Sequence, residues 1–450
     1  MAPLASWPSC SGTLSFAGSA VDVECAIEFT NEGEIHVTPA DIPLRKQDTW
    51  LLDAAVNDKG EFLRLFDLAV RTPDGDSLAS DSVYVVSVGT ASTATGTGLR
   101  LQCRASTLNL MAARITPVVG DAEHQLLYHT VGMLGFGNLR RTCEEGEVIV
   151  GGPHKEPSES VLSGHILFRS AAVGDLAAWL AKCDARTLSI LQVMSLGLGR
   201  PVDWAVREHW AASERVGSQF FATGEPLPIA DAAFSHLSLE PVLDLALAHH
   251  DVLRHPTLGL SEAIDWIAPW HVLAEIRLLA AATAFEGLLT GHEFATGCLV
   301  SPDAFRNRIR PRIEAALTAP EVRSAIAADL AADVQSQAVE AALTEMGTKI
   351  GSMNQRSLAT KLQEFLAYYD VPLDDLPVPV LELLKTRNRV VHGADTSSDD
   401  PQGTVTARAS MMREILRRTI LAMLRYSGQF QSHLNGPRWV PFRGPPNRTA

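Results

Sequence analysis

The 450-residue sequence has no apolar run approaching the roughly 20 residues that a bilayer-spanning helix needs, so a transmembrane helical protein is excluded. Met1 to Cys10 contains no basic residue leading into an apolar stretch, the pattern of a secretory leader. Cysteine is sparse: Cys10, Cys25, Cys103, Cys143, Cys183 and Cys298 are scattered, with no C-x-x-C pair and no Cys/His spacing of a zinc site. Reduced, mostly buried thiols in a cytoplasmic protein are the expectation. Positive charge is also in deficit, with 38 Lys and Arg against 52 Asp and Glu and a formal charge of −14, which argues against a protein that coats nucleic acid along its whole surface. There is no H-E-x-x-H, no G-x-S-x-G and no Walker A sequence, so zinc protease, serine esterase and P-loop nucleotidase readings lack their machinery.

What is present is an ordinary globular composition, 46% hydrophobic and 20% charged, in a chain long enough for two or three domains. Residues 1–230 carry 17 Lys/Arg and 27 Asp/Glu, a balance of −10, and residues 231–450 a balance of −4. Within the second half, Lys385 to Ala450 holds eleven basic residues against four acidic ones. That +7 segment reads either as a surface for an anionic partner or as a solvated helix face balanced elsewhere.

From Gly12 to about Arg169 the pattern favours strands. Val21, Val23, Cys25, Ile27 and Phe29 alternate with Asp22, Glu24, Ala26 and Glu28, giving one face to a core and one to water. Further strands are expected at 12–16, 33–37, 62–70, 82–88, 99–115, 148–150 and 165–168, separated by turn residues, as in an antiparallel sandwich or barrel. Gly174 to Leu196 has helical spacing and Val202 to Trp210 is strand-like, making 170–230 a mixed α/β extension. Helices are expected at 238–253, 260–290, 302–317, 320–346, 356–369, 377–392 and 405–427, with Pro269 ending or kinking the second. The fold class is α+β: a β-rich domain over 1–230, an α-helical domain over 231–435 and a Pro/Arg-rich tail over 436–450.

The chemistry-bearing stretch is Leu381-Glu-Leu-Leu-Lys-Thr-Arg387-Asn388-Arg389-Val-Val-His392-Gly393. Pro377 and Pro379 suit the start of a helix and Gly393 the position past its end. Asn388 and His392 are four apart and Arg389 and His392 three apart, so they share a face that the long Arg387 side chain can reach. An imidazole titrating near neutrality exchanges protons with a ribose hydroxyl or a leaving oxygen. A guanidinium beside it grips a phosphate and stabilises charge building on its oxygens. The plain structural alternative is that these residues cap a helix end.

Arg387-Asn-Arg-Val-Val-His392 resembles the R-x4-6-H motif of HEPN domains, in the form where Asn follows Arg and Gly follows His. Ala274 to Leu289, containing Glu286, looks like the early HEPN helix that packs against the motif helix. The opening Gly12-Thr-Leu-Ser-Phe and the segment Ile190 to Val202 are similar to the β-rich part of ApeA-like proteins. The resemblance implies an all-α HEPN bundle and a homodimeric endoribonuclease that needs no metal or other cofactor and leaves a 2′,3′-cyclic phosphate. Arg387 would stabilise the phosphate, His392 act as acid and base, and Asn388 orient them. Arg389 occupies a variable position, and Glu286 either supports the pair electrostatically or is an ordinary helix residue. RNA, tRNA among the candidates, would be the substrate, in a cytoplasmic anti-phage abortive-infection effector whose N-terminal half senses a phage-derived trigger. The alternative implied by the same family is a non-catalytic module for dimerisation or for binding a ligand or protein.

Two weaker clusters complete the reading. His249, His250 and His255 lie near Asp244 and Asp251 at a helix end, where solvation is a simpler account than a metal. Gly132-Met-Leu-Gly-Phe-Gly137 lacks full dinucleotide-loop spacing.

Overall fold

The computed structural model describes residues 3–43, 65–93, 96–112, 122–134, 137–153, 157, 160–224, 226–229, 231–235, 240–269, 271, 273–292, 298–329, 335–391, 402–434 and 436–444. These form two compact units, one comprising Met1–His255, Leu260–Leu273 and Tyr426–Arg443, the other Pro256–Gly259, Ala274–Arg425 and Gly444–Ala450.

The first unit is built on antiparallel strands: β1 (Ala5–Phe16), β2 (Ser19–Phe29), β3 (Ile35–Pro39), β4 (Ile42–Pro43), β5 (Phe66–Arg71), β6 (Ser77–Thr93), β7 (Gly96–Ala105), β8 (Thr107–Met111), β9 (His124–Val131), β10 (Asn138–Cys143), β11 (Gly146–Gly151), β12 (Leu162–Ser170), β13 (Asp203–Ala211) and β14 (Glu214–Phe221). Six of them, in the order β6-β5-β1-β2-β3-β7, close into a barrel because β7 pairs back onto β6. The alternation in β2 sets its core: Val23, Cys25, Ile27 and Phe29 are buried while Asp22, Glu24 and Glu28 face out. Phe66, Leu68 and Val70 of β5 fill the same interior. Cys10, Cys25 and Cys103 are buried there as free thiols, and Cys25 and Cys103 are pushed up to about 12 by burial. Gly12 is required where β1 meets β5, since a Cβ there would lie 2.1 Å from the Ala69 carbonyl oxygen. Pro8 falls within the register shift between Trp7 and Cys10, where a strand tolerates the missing donor.

From the barrel, β8 hands the sheet on through β14, β13, β9, β12, β11 and β10. Helix α1 (Leu176–Leu198) begins at Asp175, whose carboxylate accepts from the Ala178 amide at 3.0 Å, and ends at Gly199 with φ 67°. Tyr128 of β9 donates to Asp184 of α1 at 2.5 Å, and Arg186 of α1 forms a buried pair with Glu145 at 3.1 Å. Arg200, fully buried, donates to the carbonyls of Gly132 at 2.8 Å and Leu227 at 3.2 Å.

Three further helices belong to this unit: α2 (Glu240–Ala248), α3 (His250–Leu253) and α4 (Leu260–Ile267). α2 and α4 pack on α1, burying Val242, Leu243, Leu245 and Ala246 of α2 and Leu260, Ala263, Ile264 and Ile267 of α4. The onset of helix near 231 therefore does not mark a unit boundary, because these short amphipathic helices find their apolar partner in α1. Pro269 lies between α4 and the next helix, dividing the expected 260–290 segment. The Pro/Arg-rich segment supplies a strand: β15 (Gly428–Ser432) and β16 (Arg438–Phe442) form a hairpin in the first unit.

The second unit is helical: α5 (Ala274–Thr290), α6 (Pro302–Ala304), a π-turn (Phe305–Ile309), α7 (Arg310–Leu317), α8 (Pro320–Asp329), α9 (Gln335–Ile350), α10 (Leu358–Tyr368), α11 (Val380–Val391) and α12 (Gln402–Met423). α5 packs on α10, α11 and α12, and α11 also on α10 and α12. The whole is thus α+β, a β-rich part with a closed barrel preceding a helical region. No helix among the described residues is long and apolar enough to cross a membrane.

Candidate active site

Helix α11 follows Pro377 and Pro379, and the Glu382 amide closes the first turn onto the Pro379 carbonyl at 3.0 Å. Val380, Leu383 and Leu384 are buried at helical spacing, which fixes the face turned to α5, α10 and α12. Thr386 is buried on the same side; its hydroxyl donates to the Glu382 carbonyl at 3.0 Å and accepts from Arg408 of α12 at 2.5 Å. The opposite flank carries exposed Lys385, Asn388 and Arg389.

Arg387 sits at the edge between these faces, its side chain 24% exposed. Its Nη2 donates to Glu286 Oε1 of α5 at 2.7 Å, and its Nη1 to Asn388 Oδ1 at 3.2 Å. Its Nε is buried with no hydrogen-bond partner, so one edge of the guanidinium is unsatisfied. The structure thus brings together Arg387, Asn388 and Glu286. A carboxylate on a single Nη holds the fork in a fixed orientation without saturating it, which leaves donors for a second oxyanion. The position near the C-terminal end of α11 is one where the helix dipole favours a cation. Arg389 is on the exposed flank. His392, expected to be the acid and base, lies outside the described residues.

A feature that sequence reasoning did not isolate lies on α12. Arg413, Glu414, Arg417 and Arg418 are at most 2% exposed. Glu414 accepts from Arg417 Nη1 at 2.9 Å and from Arg418 Nε at 3.1 Å, while Asp375 takes Arg418 in a two-pronged grip at 2.6 and 2.9 Å. The sequence signal was available: Met411-Met-Arg-Glu-Ile-Leu-Arg-Arg-Thr-Ile-Leu421 is apolar around its whole circumference apart from these charges, as a buried helix is. Part of the +7 excess near the C-terminus is therefore interior charge, neither a solvated face nor a binding surface.

The weaker clusters resolve into local packing. His250 Nδ1 meets the Ser189 hydroxyl at 2.8 Å, and Asp244 is held by Arg141 at 2.6 Å. Among the described residues no group of three or more His, Cys, Asp or Glu is placed to hold a metal ion. Gly132 has φ 79°, and a Cβ there would lie 2.6 Å from the Pro201 carbonyl oxygen, so it permits a close backbone approach.

Comparison with protein-family models, with curated proteins and with solved structures finds no match to this chain.

Proposed function

We propose that the helical unit is a HEPN-type endoribonuclease that cleaves RNA without a metal, acting as a homodimer whose β-rich half regulates it in response to a phage-derived trigger. The observation that carries this reading is the guanidinium of Arg387, set near the end of α11 by Glu286 of α5 and by Asn388. In the reaction the ribose 2′-oxygen attacks the adjacent phosphorus and the bond to the 5′-oxygen breaks. The 2′-hydroxyl proton passes to an imidazole, a second proton is delivered to the 5′-oxygen, and the products are a 2′,3′-cyclic phosphate and a 5′-hydroxyl. Arg387 stabilises the extra negative charge on the phosphoryl oxygens, a role worth about 10²- to 10³-fold in rate for one well-placed donor. His392 is the group assigned to the proton transfers.

The test is incubation of the purified protein with total bacterial RNA and tRNA in EDTA, with the product ends mapped, for wild type, Arg387→Ala and His392→Ala. Cleavage with cyclic-phosphate ends that both variants lose is the expected result. Full cleavage by His392→Ala refutes the assignment. The second reading, a non-catalytic module, draws on one observation: the Glu286 carboxylate already occupies Nη2 of Arg387, one of the donors a phosphate would use. A dimer that binds a partner yet leaves RNA intact under every trigger favours it.

A further inference from the structure

The chain after Glu414 contains no acidic residue, although the protein as a whole is at −14, and its basic residues there are all arginine. One of them, Arg443, directly follows the strand β16 of the C-terminal hairpin and is exposed, while Arg438 opens that strand opposite the buried Ser432. The hairpin has two distinct faces. The inner face packs Phe430 edge-on against Phe442 at 5.4 Å, with Tyr426 beside Phe442 and Phe234 edge-on to Tyr426 at 5.1 Å. Bonds to main-chain carbonyls hold it: the Gln431 amide donates to the Ala233 carbonyl at 2.8 Å, and the Tyr426 hydroxyl donates to the Gln429 carbonyl at 2.7 Å. His433 Nε2 donates to the Ala232 carbonyl at 2.8 Å.

The outer face is different in kind. Gln431 lies opposite Trp439 and Gln429 opposite Pro441 in the hairpin register. Trp439 is 51% exposed, a large ring on a paired ribbon that the described residues leave half uncovered. By the two-residue strand period, Pro441 lies on the same face as Trp439, and Arg443 follows two residues on. A flat indole bordered by a guanidinium group and by side-chain amides is the arrangement that stacks a nucleobase, bonds its edge and neutralises a neighbouring phosphate.

We propose that the outer face of the β15–β16 hairpin is a single-stranded RNA contact site, in which Trp439 stacks on a base and Arg443 meets a flanking phosphate. Gln429 and Gln431 supply donors and acceptors to base edges. The chemistry favours a polynucleotide over a lipid surface, since an isolated tryptophan between glutamines offers no continuous apolar face to insert. The site shares with the ribonuclease reading the assumption that RNA is the ligand, but it requires no catalysis.

The experiment measures binding of fluorescent oligo(U) and oligo(A) to the full chain by anisotropy over a salt series, with every protein also carrying His392→Ala so that no substrate is consumed. Trp439→Ala is expected to weaken binding about tenfold and Trp439→Phe, which keeps a ring, less than about threefold. Arg443→Ala is expected to reduce the slope of log affinity against log salt by about 0.7, the loss of one phosphate contact on a single strand. Unchanged affinity in Trp439→Ala overturns the proposal, as does binding to anionic phosphatidylserine vesicles with no binding to RNA. The two readings separate cleanly. Trp439-dependent binding by a protein that never cuts RNA refutes the nuclease and leaves this site standing, whereas cleavage with Trp439-independent binding does the reverse.

Discussion

Glu414 offers the most direct test of how the helical unit is held together. Its carboxylate is 1% exposed and is shared by Arg417 Nη1 and Arg418 Nε, both side chains at most 3% exposed. Arg418 has a second carboxylate in Asp375, but Arg417 draws its ion pair from Glu414 alone among the bridges formed by the described residues. Glu414→Gln keeps the shape and one acceptor while removing the charge, so a guanidinium is left buried without its counter-ion. Breaking one side of a buried pair in this way costs about 3–5 kcal/mol. Domains are stable by about 5–15 kcal/mol, so roughly a fifth or more of the unit's stability is at stake. At about 2–4 °C per kcal/mol for a unit of this size, the melting transition of the helical unit should fall by roughly 6–20 °C. Thermal and urea unfolding followed by circular dichroism reads this directly. A companion variant, Glu414→Leu with Arg417→Met, removes both charges and leaves Arg418 on Asp375; it should recover most of the loss, because an apolar replacement of a buried pair is often neutral. If Glu414→Gln melts within about 1 kcal/mol of wild type, the buried network does not carry the charge balance assigned to it.

Two other expectations concern the first unit. Burial, with the neighbouring His124 and Arg207, pulls His209 down to about 4 from an ordinary 6.5, so the folded protein resists a proton that the unfolded chain accepts. The contribution is fully favourable above pH 6.5 and is lost as the pH falls toward about 4; the urea midpoint of wild type should drop between pH 7 and 5, and His209→Gln should flatten that drop. An unchanged slope in the variant refutes the assignment. The barrel thiols give a second reading: with Cys25 and Cys103 raised to about 12, neither should react with a disulfide reagent at pH 8 until denaturant is added. Mass mapping that finds either one modified in the folded protein would show the barrel to be more open than its packing implies.

The strands that were legible in the sequence are those with one wet face. β2 and β5 alternate strictly, and their positions follow from the period of two. β10 was not legible, because Asn-Leu-Arg-Arg-Thr-Cys has no buried position and pairs at the sheet edge, where neither alternation nor a core partner is needed. The hairpin strand β16 was hidden by Pro441 and the arginines around it; its structure depends on Phe442 meeting Phe430 and Tyr426, contacts that no local pattern encodes. The helices were legible in extent, yet not in allegiance. α2 and α4 read as the start of a helical domain, and only the apolar side of α1 explains why they belong with the sheet.

The same limit governs the candidate site. Arg387 and Asn388 stand out through their spacing in one helix, but the Glu286 carboxylate that orients Arg387 is 101 residues away in sequence and is selected by the packing of α5 on α11. Charge counting misleads for a related reason. Of the eleven basic residues from Lys385 onward, Arg413, Arg417 and Arg418 are interior and Arg387 is paired with Glu286, so the +7 total overstates what a polyanion meets. If the chain engages RNA as proposed, the basic residues after Lys385 do not supply a diffuse basic surface for it. On that proposal the binding depends on placed contacts, one guanidinium held at a helix end and one aromatic ring on a hairpin, and the loss of either should be felt out of proportion to its single charge or its single ring.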